Sequence, residues 1–185
     1  MPNLMKIKTY GCEVLKKIAE PVSELTPDMV SFIDDLIFTM YQTEGVGIAA
    51  PQVGLSKRIF VCDPQYSESG VKQHLVCINP EFIKYEGERI SEEGCLSVPE
   101  VFEKVKRFNK VEIQFRDMKW NLNTIVAEDI FATILQHELD HLNGVSFVDK
   151  ITPLRKMALG FKLNRIVSKS SKMTEGIEII SKDDS

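Results

Sequence analysis

The five residues His137-Glu138-Leu139-Asp140-His141 hold two of the three histidines in the chain. On a helix, positions four apart lie on one face, one turn from each other. Two imidazoles placed there can grip one divalent metal ion. A glutamate beside the first can take a proton from water activated by that metal and deliver it to a leaving group. Two imidazoles do not fill a coordination shell, so the third ligand decides the chemistry. The plain alternative is a chance pair on a solvent-exposed helix end.

Downstream, the residues after His141 follow the metzincin pattern as far as Gly144, then put Phe147 where a third histidine belongs. A thermolysin-like site needs a later glutamate, and only Glu175 and Glu178 follow Glu138, both in a polar tail. Asp149 is a possible oxygen ligand just past the helix end. Upstream there are four thiols, with no CxxC pair to suggest a zinc ribbon. Cys62 and Cys77 sit in apolar, strand-like runs and read as small buried hydrophobes. His74 opens its strand beside a polar turn and reads as a surface residue. Cys12 carries no assignable role. Cys95 differs: it lies in Glu93-Gly94-Cys95-Leu96-Ser97-Val98-Pro99, where a glycine permits close backbone approach and a thiolate could face a cleft. A Cys-His-His set leaves one position open for water, the mark of a catalytic site.

These residues must be positioned by the elements around them. Thr26-Pro27 reads as N-cap and first position of a helix over 28–43. Strands are predicted over 58–62, over 74–78 (ended by Asn79-Pro80), and around 82–85, 102–106 and 111–116. Ile130, Phe131, Ile134, Leu135 and Leu139 keep a period near 3.6, which predicts a helix from about 127 to 143 with Gly144 just past its end. A last amphipathic helix is predicted over 153–168, and a polar tail, partly disordered, over 171–185. The order of helix, strands, helix, helix predicts an α+β fold. It is read as one domain over 1–170, with antiparallel strands around a central metal-binding helix and a helix toward each terminus.

The chain has 185 residues, 43% hydrophobic and 27% charged, with net charge −4 and pI near 5.5. That balance argues against DNA as a partner, and the basic stretch 155–172 reads as a solvated helix face. No apolar run reaches the length of a membrane span, and the first residues lack the apolar region of a secretory signal. The cytoplasm is the expected compartment, in which cysteines are thiols or ligands.

Three stretches read together carry a resemblance: Gly45-Val46-Gly47-Ile48-Ala49-Ala50-Pro51-Gln52, Glu93-Gly94-Cys95-Leu96-Ser97 and Gln136-His137-Glu138-Leu139-Asp140-His141. In order and separation they resemble the signature motifs of the peptide deformylases, which remove the formyl group from the N-terminal methionine of new proteins. The resemblance implies that Cys95, His137 and His141 are metal ligands, with Fe(II) in the cell and zinc, nickel or cobalt accepted. It implies Glu138 as general base and acid, and the Gln52 amide and the Leu96 N–H as donors to the formyl oxygen. The methionine pocket falls on Val46, Gly47, Ser91, Glu93, Ile130, Thr133, Ile134 and the ring face of His137. Backbone at Val46 and Gly94 pairs with the peptide as an added strand. The implied partners are N-formylmethionyl peptides, with transient ribosome contact through the basic C-terminal helix.

Glu93 is expected to be partly buried and paired with Arg107. Asp140 is expected to hold an ion pair and not the metal. Ser91 stands where the family is usually apolar, which makes the pocket mouth more polar. Two other functions compete: a zinc endopeptidase, disfavoured by Phe147, and a silent binding protein, disfavoured by the presence of both Glu138 and Gln52.

Overall fold

The computed structural model describes residues 1–65 and 69–182, with side chains described through residue 171. Helix α1 (Pro27–Gln42) begins as its residue types require. The Thr26 hydroxyl accepts the Met29 N–H at 3.2 Å, and Pro27 takes the first helical position, where no N–H is needed. Such a cap is worth about 1 kcal/mol. The helix buries Ile33, Leu36, Thr39 and Met40.

The chain then forms β1 (Gly47–Ala49), a 3-10 turn (Ala50–Val53), β2 (Ile59–Cys62), β3 (Leu75–Glu86), β4 (Arg89–Cys95), β5 (Val98–Arg107), β6 (Lys110–Arg116) and β7 (Leu122–Glu128). Helix α2 (Asp129–Leu142) follows, then a 3-10 turn (Phe147–Asp149), α3 (Pro153–Ala158) and α4 (Gly160–Lys182). Strands β1-β2-β3-β6-β7 make one antiparallel sheet in that spatial order, and β4 and β5 form a separate hairpin.

The architecture is α+β in one domain, built around α2. All four residues of β2 are buried because both sheet faces are covered. Phe60 and Cys62 pack with Ala132, Leu135, Leu139 and Leu142 of α2. Ile59 and Val61, on the alternate face, pack with Ile33, Leu36 and Met40 of α1. The other flank of α2 meets β4. The hairpin's inner face (Val98, Val101, Val105) joins Phe147, Val148, Leu163 and Ile166 in a third cluster.

Besides β1, β4 and β7, which were not expected as strands, four features differ from the sequence expectations. The strands predicted over 74–78 and 82–85 are one strand, β3. Asn79 takes φ 51° and the register shifts between Ile78 and Glu81, so Pro80 falls at a bulge where its missing N–H costs no ladder bond. The Asn79 amide also donates to the Val22 carbonyl and accepts the Val22 N–H, each at 2.8 Å. Helix α2 starts at Asp129, not near 127, because Ala127 and Glu128 pair with Val111 and Lys110 to complete β7. The C-terminal helix is two helices meeting at Leu159, and the backbone of α4 runs through most of the expected tail, to Lys182. The rest of that tail, 183–185, lies outside the described residues. Among the described residues, no helix is long and apolar enough to cross a membrane.

Candidate active site

The α2 helix sets His137 and His141 one turn apart, with ring centroids 5.0 Å apart and planes 75° apart. Cys95 comes from the end of β4, where the register shifts between Gly94 and Cys95. A bulge of this kind re-aims a side chain. The ligand atoms of Cys95, His137 and His141 all lie within 4.8 Å of one another, and Cys95 Sγ is 3.2 Å from His141 Nε2.

Burial alone would raise the Cys95 pKa. The charge on His141 and hydrogen bonds from both histidines outweigh it, so the thiol is held well below its usual range. Burial would likewise depress His137, but its bonds to the Cys95 thiolate and to Glu93 hold it well above the ordinary imidazole value. A thiolate and two imidazoles are a donor set suited to zinc or Fe(II). His137 Nδ1 lies 2.8 Å from Glu93 Oε2, which leaves Nε2 as the nitrogen available to a metal. The residues present therefore fit a metal ion.

Glu93 sits in a buried chain of charges. Arg107 donates through Nε to Glu93 Oε1 at 2.6 Å and through Nη2 to Glu93 Oε2 at 2.8 Å. Arg107 Nη1 donates to Asp140 Oδ2 at 2.5 Å, and Lys150 Nζ reaches Asp140 Oδ1 at 3.0 Å. The expected pairs of Glu93 with Arg107 and of Asp140 with a base are both present. Burial would raise the Glu93 pKa, but the bonds from Arg107 and His137 bring it down to about 2. The ion-pair chain thus orients His137 from behind.

Glu138 is buried, and its Oε2 has no hydrogen-bond partner among the described residues. Burial raises its pKa to about 7, opposed by the charges on His137 and His141. Gly47 permits this placement: a β-carbon at 47 would overlap Glu138 Oε1 and come within 2.9 Å of Glu138 Cδ. The resemblance placed Gly47 in the methionine pocket, and the close approach of Glu138 went unseen.

Gln52, on the 3-10 turn after β1, is only 2% exposed. Its Oε1 accepts the Ala49 N–H at 2.8 Å, which sets the amide orientation. Its Nε2 donates to Cys95 Sγ at 3.4 Å and to Ser97 Oγ at 3.2 Å. Ser97 also donates its N–H to Cys95 Sγ at 3.4 Å. Sequence reasoning gave Ser97 no role, and its place at the end of a motif was the only signal. Leu96 lies at the turn between β4 and β5, its side chain packed on the cluster around α1.

The expected pocket residues come from three elements in contact: Val46 and Gly47 at β1, Ser91, Glu93 and Gly94 on β4, and Ile130, Thr133 and Ile134 on α2. Ser91, Glu93, Thr133 and Ile134 are buried, whereas Val46 and Ile130 are exposed. A cavity of about 320 Å³ lies elsewhere, lined by Tyr10, Leu15, Val98 and Val167, and meets the site only through Ser97 and His141. Phe147 does not ligate; its ring stacks on His137 at 6.1 Å, which removes the metzincin alternative. Cys62 and Cys77 are fully buried, and burial raises both thiols, as expected of inert cysteines.

A thiolate, two imidazoles and an unpartnered buried carboxylate on this α+β frame define a metal-dependent hydrolase. Residues 4–157 match the family model described as polypeptide deformylase. A peptide deformylase of Fusobacterium nucleatum is 42% identical over 173 residues, 92% of this chain and 97% of the relative. The crystal structure of a peptide deformylase from Legionella pneumophila superposes with a TM-score of 0.83 at 38% identity, covering 91% of this chain and 98% of that one. A Met-Ala-Ser-bound class I type b enzyme from Acinetobacter baumannii gives 0.76 at 34% identity, covering 82% and 100%. This chain belongs to the polypeptide deformylase family, whose reaction is hydrolytic removal of the N-formyl group from N-terminal formylmethionine.

Proposed function

We propose that this chain deformylates N-formylmethionyl peptides using one divalent metal held by Cys95, His137 and His141, with Glu138 as general base and acid. The observation that carries this reading is the buried, unpartnered Glu138 oxygen beside three converging metal donors. When bound, the metal supplies Lewis-acid activation of a water near neutral pH. We assign Fe(II) as the metal in the cell, with zinc, nickel or cobalt able to replace it.

Each residue then has a physical task. Glu138 takes the proton of the attacking water and returns it to the departing amine, releasing formate and a free methionine amino group. Attack places negative charge on the formyl oxygen. The Gln52 amide, its orientation locked by the Ala49 N–H, and the Leu96 N–H donate to that oxygen. Donors of this kind are worth about 3–4 kcal/mol each. Val46, Gly47, Ser91, Glu93, Ile130, Thr133, Ile134 and the ring face of His137 receive the methionine side chain.

Among the described residues, strands β1 and β4 each have a neighbour on one side only. A peptide added between them at Val46 and Gly94 completes both edges. The Acinetobacter relative holds Met-Ala-Ser, a tripeptide led by methionine, and the product class here is the same. Nascent chains are the natural substrates, so the enzyme works in the cytoplasm and docks transiently at the ribosome through its basic C-terminal helix.

The test is formate release from formyl-Met-Ala-Ser by anaerobically purified protein, beside Glu138→Ala, with metal content measured on both. Formate from the wild type alone, with metal in both, is the expected result. No formate from a fully metallated wild type would sink the reading.

A further inference from the structure

Among the described residues, strand β4 has β5 on one side and no strand on the other, and Gly94 faces Phe102 across that pair. Phe102 is 68% exposed. Its ring lies over the Gly94 backbone: a β-carbon at 94 would come within 2.5 Å of Phe102 Cε1 and 2.7 Å of Cδ1. The ring therefore fills the space a side chain at 94 would take, over the backbone of β4. An aromatic covering a cross-strand glycine is a recognised way to shield exposed backbone. Here the shielded backbone is also the edge to which the peptide is assigned.

The two faces of the hairpin have different characters. Ser91, Glu93, Glu103 and Val105 are buried on the inner face, whereas Ile90, Glu92, Phe102, Lys104 and Lys106 are exposed on the outer one. The next step rests on the reading above, in which the peptide lies as a strand along β4 with methionine on the inner face beside Ser91. Side chains alternate along a strand, so the second residue of the peptide points to the outer face. On that face the neighbouring position on β4 is a glycine, and the first side chain beyond the backbone is the ring of Phe102.

We propose that Phe102 is a specificity-determining residue that contacts the second residue of the formylmethionyl peptide and favours apolar and aromatic side chains there over glycine. Aromatic contacts of this kind correspond to a preference of about 2- to 12-fold.

The experiment measures kcat/KM for formate release from formyl-Met-Xaa-Ser, with Xaa glycine, leucine or phenylalanine, on metal-loaded protein. Wild type, Phe102→Ala, Phe102→Leu and Lys104→Ala are compared. The expected phenylalanine-to-glycine ratio is about 2 to 12 in the wild type and unchanged in Lys104→Ala, which lies on the same face two pairs away. It falls to near unity in Phe102→Ala and lies between in Phe102→Leu, which carries the comparison should the alanine variant not fold. A wild-type ratio near unity, or a ratio preserved in both Phe102 variants while formate is still released, overturns the role of Phe102 and leaves the deformylase assignment standing. No formate from any peptide overturns both.

Discussion

Replacing Arg107 with methionine keeps much of the side-chain volume and removes the guanidinium at the centre of the charge chain behind His137. The Arg107 and Glu93 side chains are 2% and 4% exposed, and Asp140 is 15% exposed. The variant loses two hydrogen bonds to Glu93 and one to Asp140. Glu93 is left buried with only His137, while Asp140 keeps Lys150. Breaking a buried ion pair by removing one partner costs about 3–5 kcal/mol, because the remaining charge is uncompensated. The retained Lys150 contact puts the expectation at the lower end, about 3–4 kcal/mol. For a domain of this size that lowers Tm by about 6–16 °C. Calorimetry on chelator-treated protein measures the loss without a metal contribution. A second variant, Glu93→Gln/Arg107→Met, replaces the stranded anion with a neutral amide. It should be about 1–3 kcal/mol more stable than the sum of the two single losses predicts. On loaded protein, Arg107→Met should also weaken metal binding by about 10–100-fold, because His137 loses the support that fixes its ring. A loss below about 1 kcal/mol, or strict additivity in the double variant, would refute the claim that this chain of charges acts as a unit.

Three further outcomes are expected. Gly47→Ala drives a methyl into the Glu138 carboxylate; kcat for formate release should fall at least about tenfold, with about 1–3 kcal/mol lost in urea unfolding. An unchanged kcat would show that Glu138 does not need its position against β1. Removing the metal with a chelator should lower Tm and re-addition should restore it. The loss is about 2.7 kcal/mol when free metal stands at about 100 times Kd, and a Tm indifferent to chelator would count against a site formed by Cys95, His137 and His141. Burial opposes ionisation of Glu93, but the bonds from Arg107 and His137 bring its folded pKa to about 2, below the ordinary 4.5. Its stabilising contribution is therefore complete above about pH 4.5 and is lost as pH falls toward 2, on the order of 3 kcal/mol in all. Urea midpoints of metal-free protein across that range should drop more steeply for the wild type than for Glu93→Gln, and parallel slopes would contradict the pairing.

Which parts of this protein were legible in its sequence follows from whether the governing geometry is local. The α2 histidines were readable because a helix converts a spacing of four into a shared face, whatever surrounds it. The start of α1 was readable because Thr26 and Pro27 act on their own backbone. Strands β1, β4 and β7 were not predicted: β1 has three residues, β4 buries the polar Ser91 and Glu93 while exposing Ile90, and all but one of the residues of β7 are exposed or half-buried. The break predicted at Asn79-Pro80 failed because Asn79 takes a positive φ and bonds Val22, 57 residues earlier in the chain, so that the strand continues through a bulge.

Within the site, the residue types of Cys95, His137, Glu138 and His141 announced the chemistry, and the resemblance of three motifs named the reaction. Only the folded chain decided that Glu93 also bonds His137, that Gly47 makes room for Glu138, and that Phe102 covers Gly94. These contacts join residues brought together by strand register and by the packing of α2 between sheet and hairpin. Spacing along the chain carries no record of them, because register and packing are set by the burial of whole faces and not by any pair of residues alone.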